Sequence, residues 1–398
     1  MKKYIFIENP FLKANKSKTG TSGREKMNPI LNKYAKLLVN YCLEIKAGDR
    51  LYIKTTTLAE PLVREVYREA LKAGGNVLVD FDFREKNNIF SKEAEGDQLK
   101  FISPQYKIAM EEFEAYLHIR APYNIHEDQN LDQEKLKVRK KVTASLNQLY
   151  FQRTATRELK RNICQFPTTA AAQNAEMSLE EYENFVYGAC NLFDDDPVQR
   201  WIDVRNSQQQ IVDLLNSRKK IRYYGEGIDI SFETTGRTWI NSDGQTNMPS
   251  GEVYTSPVEN SVNGVINFTY PAVYMGHEVE DVTLWVKEGY VEKWEAKRGK
   301  EFLDHIFSIE GTRRFGEAAI GTNYNINRFT KNILFDEKIG GTVHMAIGQS
   351  YIQAGGKNKS SIHWDMIANM KNGGEIYADD EKIYESGRFL LSDSLPLS

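Results

Sequence analysis

Arg50 to Phe81, RLYIKTTTLAEPLVREVYREALKAGGNVLVDF, reads as strand, helix, turn and strand. Arg50 to Thr55 alternates like a strand. Glu60-Pro61 opens a helix, with the proline placed early, where its missing N–H costs little. Leu62, Val66, Ala70 and Leu71 are expected to line its buried side. Gly74-Gly75 ends the helix, and Asn76 to Phe81 is an apolar, β-branched run that suits a strand. Two strands joined by a crossover helix form a βαβ unit, so this half of the chain should hold a parallel or mixed sheet. No glycine-rich phosphate loop follows either strand, and a nucleotide role gains no support.

Working outward, Leu31, Tyr34, Ala35, Leu38 and Cys42 recur at helical spacing before the Lys46-Ala-Gly-Asp49 turn. Downstream, charged helices surround one strand, Ala115 to Arg120, whose His118 reads as a structural or surface residue. Ser178-Leu-Glu-Glu181 has the spacing of a capping box. Asp194-Asp195-Asp196 precedes Pro197 and reads as a helix boundary rather than a cation site. From Ile221 the character changes to short aromatic strands separated by turns, IRYYG, IDISFE, GVINFTY, VTLWVKEG and YVEKWEA. That pattern predicts an antiparallel, β-rich second domain. The expected division is a flexible extension over 1–26, an α/β domain over 27–210 and a β-rich (α+β) domain over 211–398, where the candidate catalytic residues named below fall.

At 398 residues the chain is long enough for two cores. A net charge of -3 leaves no electrostatic footprint for nucleic acid or an anionic membrane surface. No apolar run approaches the length of a membrane helix. Three scattered cysteines, Cys42, Cys164 and Cys190, make no disulfide framework and fit a reducing, cytoplasmic compartment.

The chemistry concentrates in Leu334 to Asp365, LFDEKIGGTVHMAIGQSYIQAGGKNKSSIHWD. His363 and Asp365, two apart on a strand, would point to one face. His344 follows the Gly340-Gly341 turn on a second short strand. Imidazole nitrogen and carboxylate oxygen suit zinc, cobalt or manganese. Further back, Glu252 follows a Pro/Ser/Gly turn at a strand start, and Glu317 stands in the apolar run RRFGEAAIG. A carboxylate buried there costs several kcal/mol unless a cation or arginine pairs with it. Glu337 adds another carboxylate. Any one of these residues alone is an ordinary surface group or ion-pair partner; their number in turn-flanked, apolar settings is not.

NMPSGEVYTSP, RRFGEAAIG, LFDEKIGGTVHMAIGQSY and SIHWD, taken in order, resemble the motifs of the M29 metallo-aminopeptidases of the aminopeptidase S and T type. The likeness runs from 27 to about 390. The resemblance implies that Glu252, Glu317, Glu337, His344, His363 and Asp365 bind two divalent cations (Zn, Co or Mn), with Tyr351 catalytic. It also implies a homodimer with enclosed active sites and peptides as substrates. In some members the glutamate matching Glu337 stands nearer the histidine than it does here.

The implied reaction uses a water whose pKa two cations lower toward neutrality. Tyr351 would steady the developing oxyanion. A carboxylate such as Glu317 would move the proton to the leaving amine. Two competing readings share these residues: a two-metal hydrolase of another amide or ester, and a silent peptide- or metal-binding protein. The latter has no need of Tyr351.

Overall fold

In the computed structural model, which describes residues 28–390, Arg50–Thr56 and Asn76–Asp82 pair in parallel and Glu60–Lys72 crosses between them. The extension expected over 1–26 lies outside the described residues. Leu62, Val66 and Ala70 are buried, but Leu71 is exposed. Nine residues at about 100° each carry Leu71 to the side of the helix opposite Leu62. The first helix, Pro29–Lys36, widens into a π-helical turn over Leu37–Cys42 and buries the expected apolar face.

The parallel sheet has five strands in the order Asn76–Asp82, Arg50–Thr56, Ala115–Arg120, Lys160–Gln165 and Asn247–Met248. No periodicity marks the Lys160–Gln165 strand, because KRNICQ carries little apolar signal. Its Asn162 is fully buried and donates to the Gly244 carbonyl at 2.9 Å, which fixes the strand beside the Asn247–Met248 segment. That two-residue strand comes from the β-rich half of the chain, so the chain returns to its first sheet before entering the site.

His118 lies on the Ala115–Arg120 strand, stacked on Tyr116. Burial, followed by Arg120 and Lys54, lowers its pKa to about 4, as suits a neutral structural imidazole. Ser178 and Glu181 form the foreseen capping box of Leu179–Ala189. Asp196 caps Pro197–Asn216 with its side chain, which confirms the helix-boundary reading of that aspartate.

Apart from Asn247–Met248, the strands of the second half pair antiparallel, as expected. An eight-stranded sheet begins with Tyr290–Glu295 and Val282–Lys287 and ends with Glu381–Glu385 and Arg388–Phe389. A five-stranded sheet follows the order His363–Asn369, Thr342–Gly348, Phe315–Gly321, Glu252–Thr255 and Ile240–Ser242. Their facing residues make one core. Ile230, Phe232, Ile266 and Leu284 come from the larger sheet, and Val253, Ala318, Ile320, Val343, Met345, Trp364 and Met366 from the smaller. Side chains alternate across a strand. With Val343 and Met345 turned to that core, His344 faces the other way, as do His363 and Asp365 around Trp364. Among the described residues no helix is long and apolar enough to cross a membrane.

Candidate metal centre

Four strands of the smaller sheet each bring polar groups to the face turned away from the core. Strict alternation would leave Glu317 on the same face as Phe315, which packs in the core. A register shift between Phe315 and Glu317 removes that constraint. Such a bulge re-aims a side chain. Gly316 makes it possible: a Cβ there would stand 2.2 Å from the Gln349 carbonyl oxygen. Glu252 is set by the turn before it. Gly251 has φ +117°, and a Cβ on it would lie 2.7 Å from Asn323 Cβ. Asn323 Nδ2 donates to the Ser250 carbonyl at 2.8 Å, and Gln208 Nε2 donates to the Glu252 carbonyl at 3.2 Å.

Glu317 occupies the centre. Its Oε1 lies 3.7 Å from His344 Nε2, and its Oε2 lies 3.1 Å from His363 Nε2. Beyond the histidines stand Glu252, with Oε2 3.5 Å from His344 Nε2, and Asp365, with Oδ1 3.5 Å from His363 Nε2. Two groups that could hold a metal ion follow: Glu252, Glu317 and His344, and Glu317, His363 and Asp365. Ligand atoms at ordinary zinc distances around a four-coordinate ion stand roughly 3.4 Å from one another. The four separations above are of that size.

The donor atoms also lack other employment. Glu252 Oε2, both ring nitrogens of His344 and Asp365 Oδ1 are buried without a hydrogen-bond partner. Buried polar atoms are rarely left so. His363 differs in an informative way: its Nδ1 lies 2.8 Å from the Gln349 carbonyl oxygen. Donation there keeps a proton on Nδ1 and directs Nε2 at Glu317 and Asp365, the usual support of a ligating histidine once Nε2 gives up its own proton.

Burial alone would lower the His363 pKa, but Asp365 and Glu317 outweigh it and push it up to about 12. His344 rises to about 9 by the same contest, with Glu317, Glu252 and Asp365 against burial. The pocket calls for positive charge. Protons on the imidazoles answer that call, and a metal ion binding there must displace them.

Glu337 is placed differently from its sequence neighbours. It caps the short helix Ile333–Asp336 and belongs to neither metal-ligating group. Its Oε1 is taken by the ammonium of Lys338, which is fully buried and also reaches Glu252 Oε1 at 3.7 Å. Sequence reading passed over Lys338, because a lysine in a turn is ordinarily solvated. Its only signal was its place between a candidate ligand and Gly340-Gly341.

Tyr351 stands beside the second group, its ring 5.0 Å from the His363 ring and 5.1 Å from the Tyr254 ring. Its backbone N–H donates to Ser256 Oγ at 3.2 Å, and Ser256 Oγ donates to the Gly316 carbonyl at 2.7 Å. One serine thus ties the Tyr351 turn to the bulge that aims Glu317. Nearby Glu317, then burial, then Asp365 hold the Tyr351 phenol well above its ordinary pKa, so it is a proton donor.

The family model described as thermophilic metalloprotease (M29) matches residues 27–389. Aminopeptidase 2 of Geobacillus stearothermophilus is 27% identical, over 81% of this chain and 84% of that protein. Aminopeptidase AmpS of Bacillus subtilis is 24% identical, over 90% of this chain and 98% of its own length. Among solved structures, wild-type AmpT from Thermus thermophilus superposes with a TM-score of 0.78 at 20% identity, covering 91% of this chain and 99% of that one, which shows a shared fold. With the match running through nearly every described residue, the chain belongs to the M29 metalloprotease family.

Proposed function

We propose that this protein is a metal-dependent aminopeptidase that releases residues one at a time from the free N-terminus of peptides. The observation that carries the reading is Glu317, whose two oxygens face two different histidines and join two ligand groups into one. Glu252, Glu317 and His344 would hold one divalent cation, and Glu317, His363 and Asp365 a second. Zinc, cobalt or manganese would supply Lewis acidity toward a carbonyl and lower the pKa of water.

The remaining work falls to side chains. The Gln349 carbonyl holds the His363 ring in one orientation. Tyr351 donates from its hydroxyl to the scissile carbonyl oxygen as charge gathers there. Glu317 with one oxygen released, or another carboxylate left free, would pass a proton to the leaving amine. A carboxylate of the group holds the substrate's α-amine, which makes the enzyme an exopeptidase. The names of the relatives support this reading. Dimeric assembly and a cytoplasmic location belong to the same proposal; the family resemblance supports the first and three free, buried cysteines support the second.

Direction of cleavage tests it. Short peptides with a free N-terminus should shorten by one residue at a time in a mass-spectrometric time course, while their N-acetylated forms stay intact. Equal cleavage of the acetylated peptides would refute the exopeptidase assignment.

A further inference from the structure

We propose that Lys338 is a resident cation of this site, which holds Glu337 out of both ligand groups and makes the two cation positions sharply unequal. The tight position is Glu317, His363 and Asp365; the weak one is Glu252, Glu317 and His344. The inference rests on the metal-binding reading above and deepens it.

A lysine with no exposed surface is rare, because taking an ammonium out of water is expensive unless it is paired. Lys338 is paired twice, by close contact with Glu337 Oε1 and at 3.7 Å with Glu252 Oε1. Its backbone is pinned on both sides. The Lys338 N–H donates to the Phe335 carbonyl, and the Lys338 carbonyl accepts from the Asn323 N–H, both at 3.0 Å. These bonds hold the turn in place beneath the side chain. Glu337, at the end of Ile333–Asp336, has its charge answered by the adjacent residue. Glu252 has one oxygen toward Lys338 and the other toward His344.

A divalent ion placed between Glu252, Glu317 and His344 must share the Glu252 carboxylate with a positive charge already beside it. Like charges at that range repel strongly away from bulk water. No lysine or arginine lies within 4 Å of Glu317 or Asp365 among the described ion pairs; the Lys338 charge also acts on Asp365, but from farther away than on Glu252, so the other position meets a weaker competitor. A lysine also suits the task as a compact point charge on a stem that fills space where no water need enter.

The test is a Co²⁺ titration of metal-stripped, full-length protein, followed by calorimetry and by visible absorption. The wild type should take up one Co²⁺ per chain at least ~10-fold more tightly than the second. Lys338→Met keeps an unbranched stem and removes the charge, and should tighten the second Co²⁺ by about 10-fold or more. Glu337→Gln keeps Lys338 but leaves its charge chiefly to Glu252, so the second Co²⁺ should weaken further. Equal binding of two Co²⁺ by the wild type would overturn the proposal. So would a folded Lys338→Met protein whose second site is unchanged or weaker. Should Lys338→Met fail to fold, an unchanged or tighter second site in Glu337→Gln has the same force. Folded wild type that binds no Co²⁺ at all would instead refute the metal-binding reading itself.

Discussion

Glu317→Ala is expected to cost at least about 10³-fold in turnover and to empty both cation positions, because it is the only residue common to the two groups. Each outer ligand serves one group only. His344→Ala and Asp365→Ala should therefore each lower the metal content while leaving a remnant at the other position. The asymmetry between Glu317 and its neighbours is the discriminating result. A structural role predicts a different pattern. Glu317 is buried, and removing it would leave two imidazoles without their shared carboxylate, so stability would change while bound metal and turnover would not. Metal content by atomic emission, measured with kcat on the same preparation, separates the two. Normal metal and near-normal turnover in Glu317→Ala would remove this residue from the centre.

Tyr351→Phe should leave the metal content intact and lower kcat by roughly 10²–10³-fold with little change in KM. The substitution keeps the ring contacts with His363 and Tyr254 and the backbone hydrogen bond to Ser256, so the geometry around it survives. Only the hydroxyl is lost. A phenol held well above its ordinary pKa stays protonated across neutral pH, so the wild-type rate should not fall there through ionisation of Tyr351. Near-normal kcat in the metal-loaded Phe variant would make Tyr351 a packing residue.

Much of this was legible in the order of residues. The βαβ unit over Arg50 to Phe81 and the hairpin-rich second half declared themselves through periodicity, because both depend on which neighbouring side chains share a face. The same rule set His363 beside Asp365 on one face of one strand. What escaped depends on contacts distant in sequence. Lys160–Gln165 becomes a strand because the parallel sheet and the returning Asn247–Met248 segment flank it, and KRNICQ does not announce this. Glu317 was singled out as a buried carboxylate in an apolar run, yet simple alternation would have sent it to the core with Phe315. The bulge at Gly316 decides otherwise, and the Gln349 carbonyl that demands a glycine there lies far along the chain. Gln208, which pins the start of the Glu252 strand, comes from a helix with no pattern that points to the site. Lys338 shows the same limit: its burial follows from the Asn323 and Phe335 contacts, not from its own residue type.

Of the measurements open to this protein, peptide cleavage before and after metal removal bears most directly on the central claim. The protein should be stripped with a chelator until atomic emission finds no transition metal, then assayed on short peptides with a free N-terminus. Turnover should vanish in the stripped sample and return on adding zinc, cobalt or manganese. Full cleavage by protein shown to be metal-free would contradict the account.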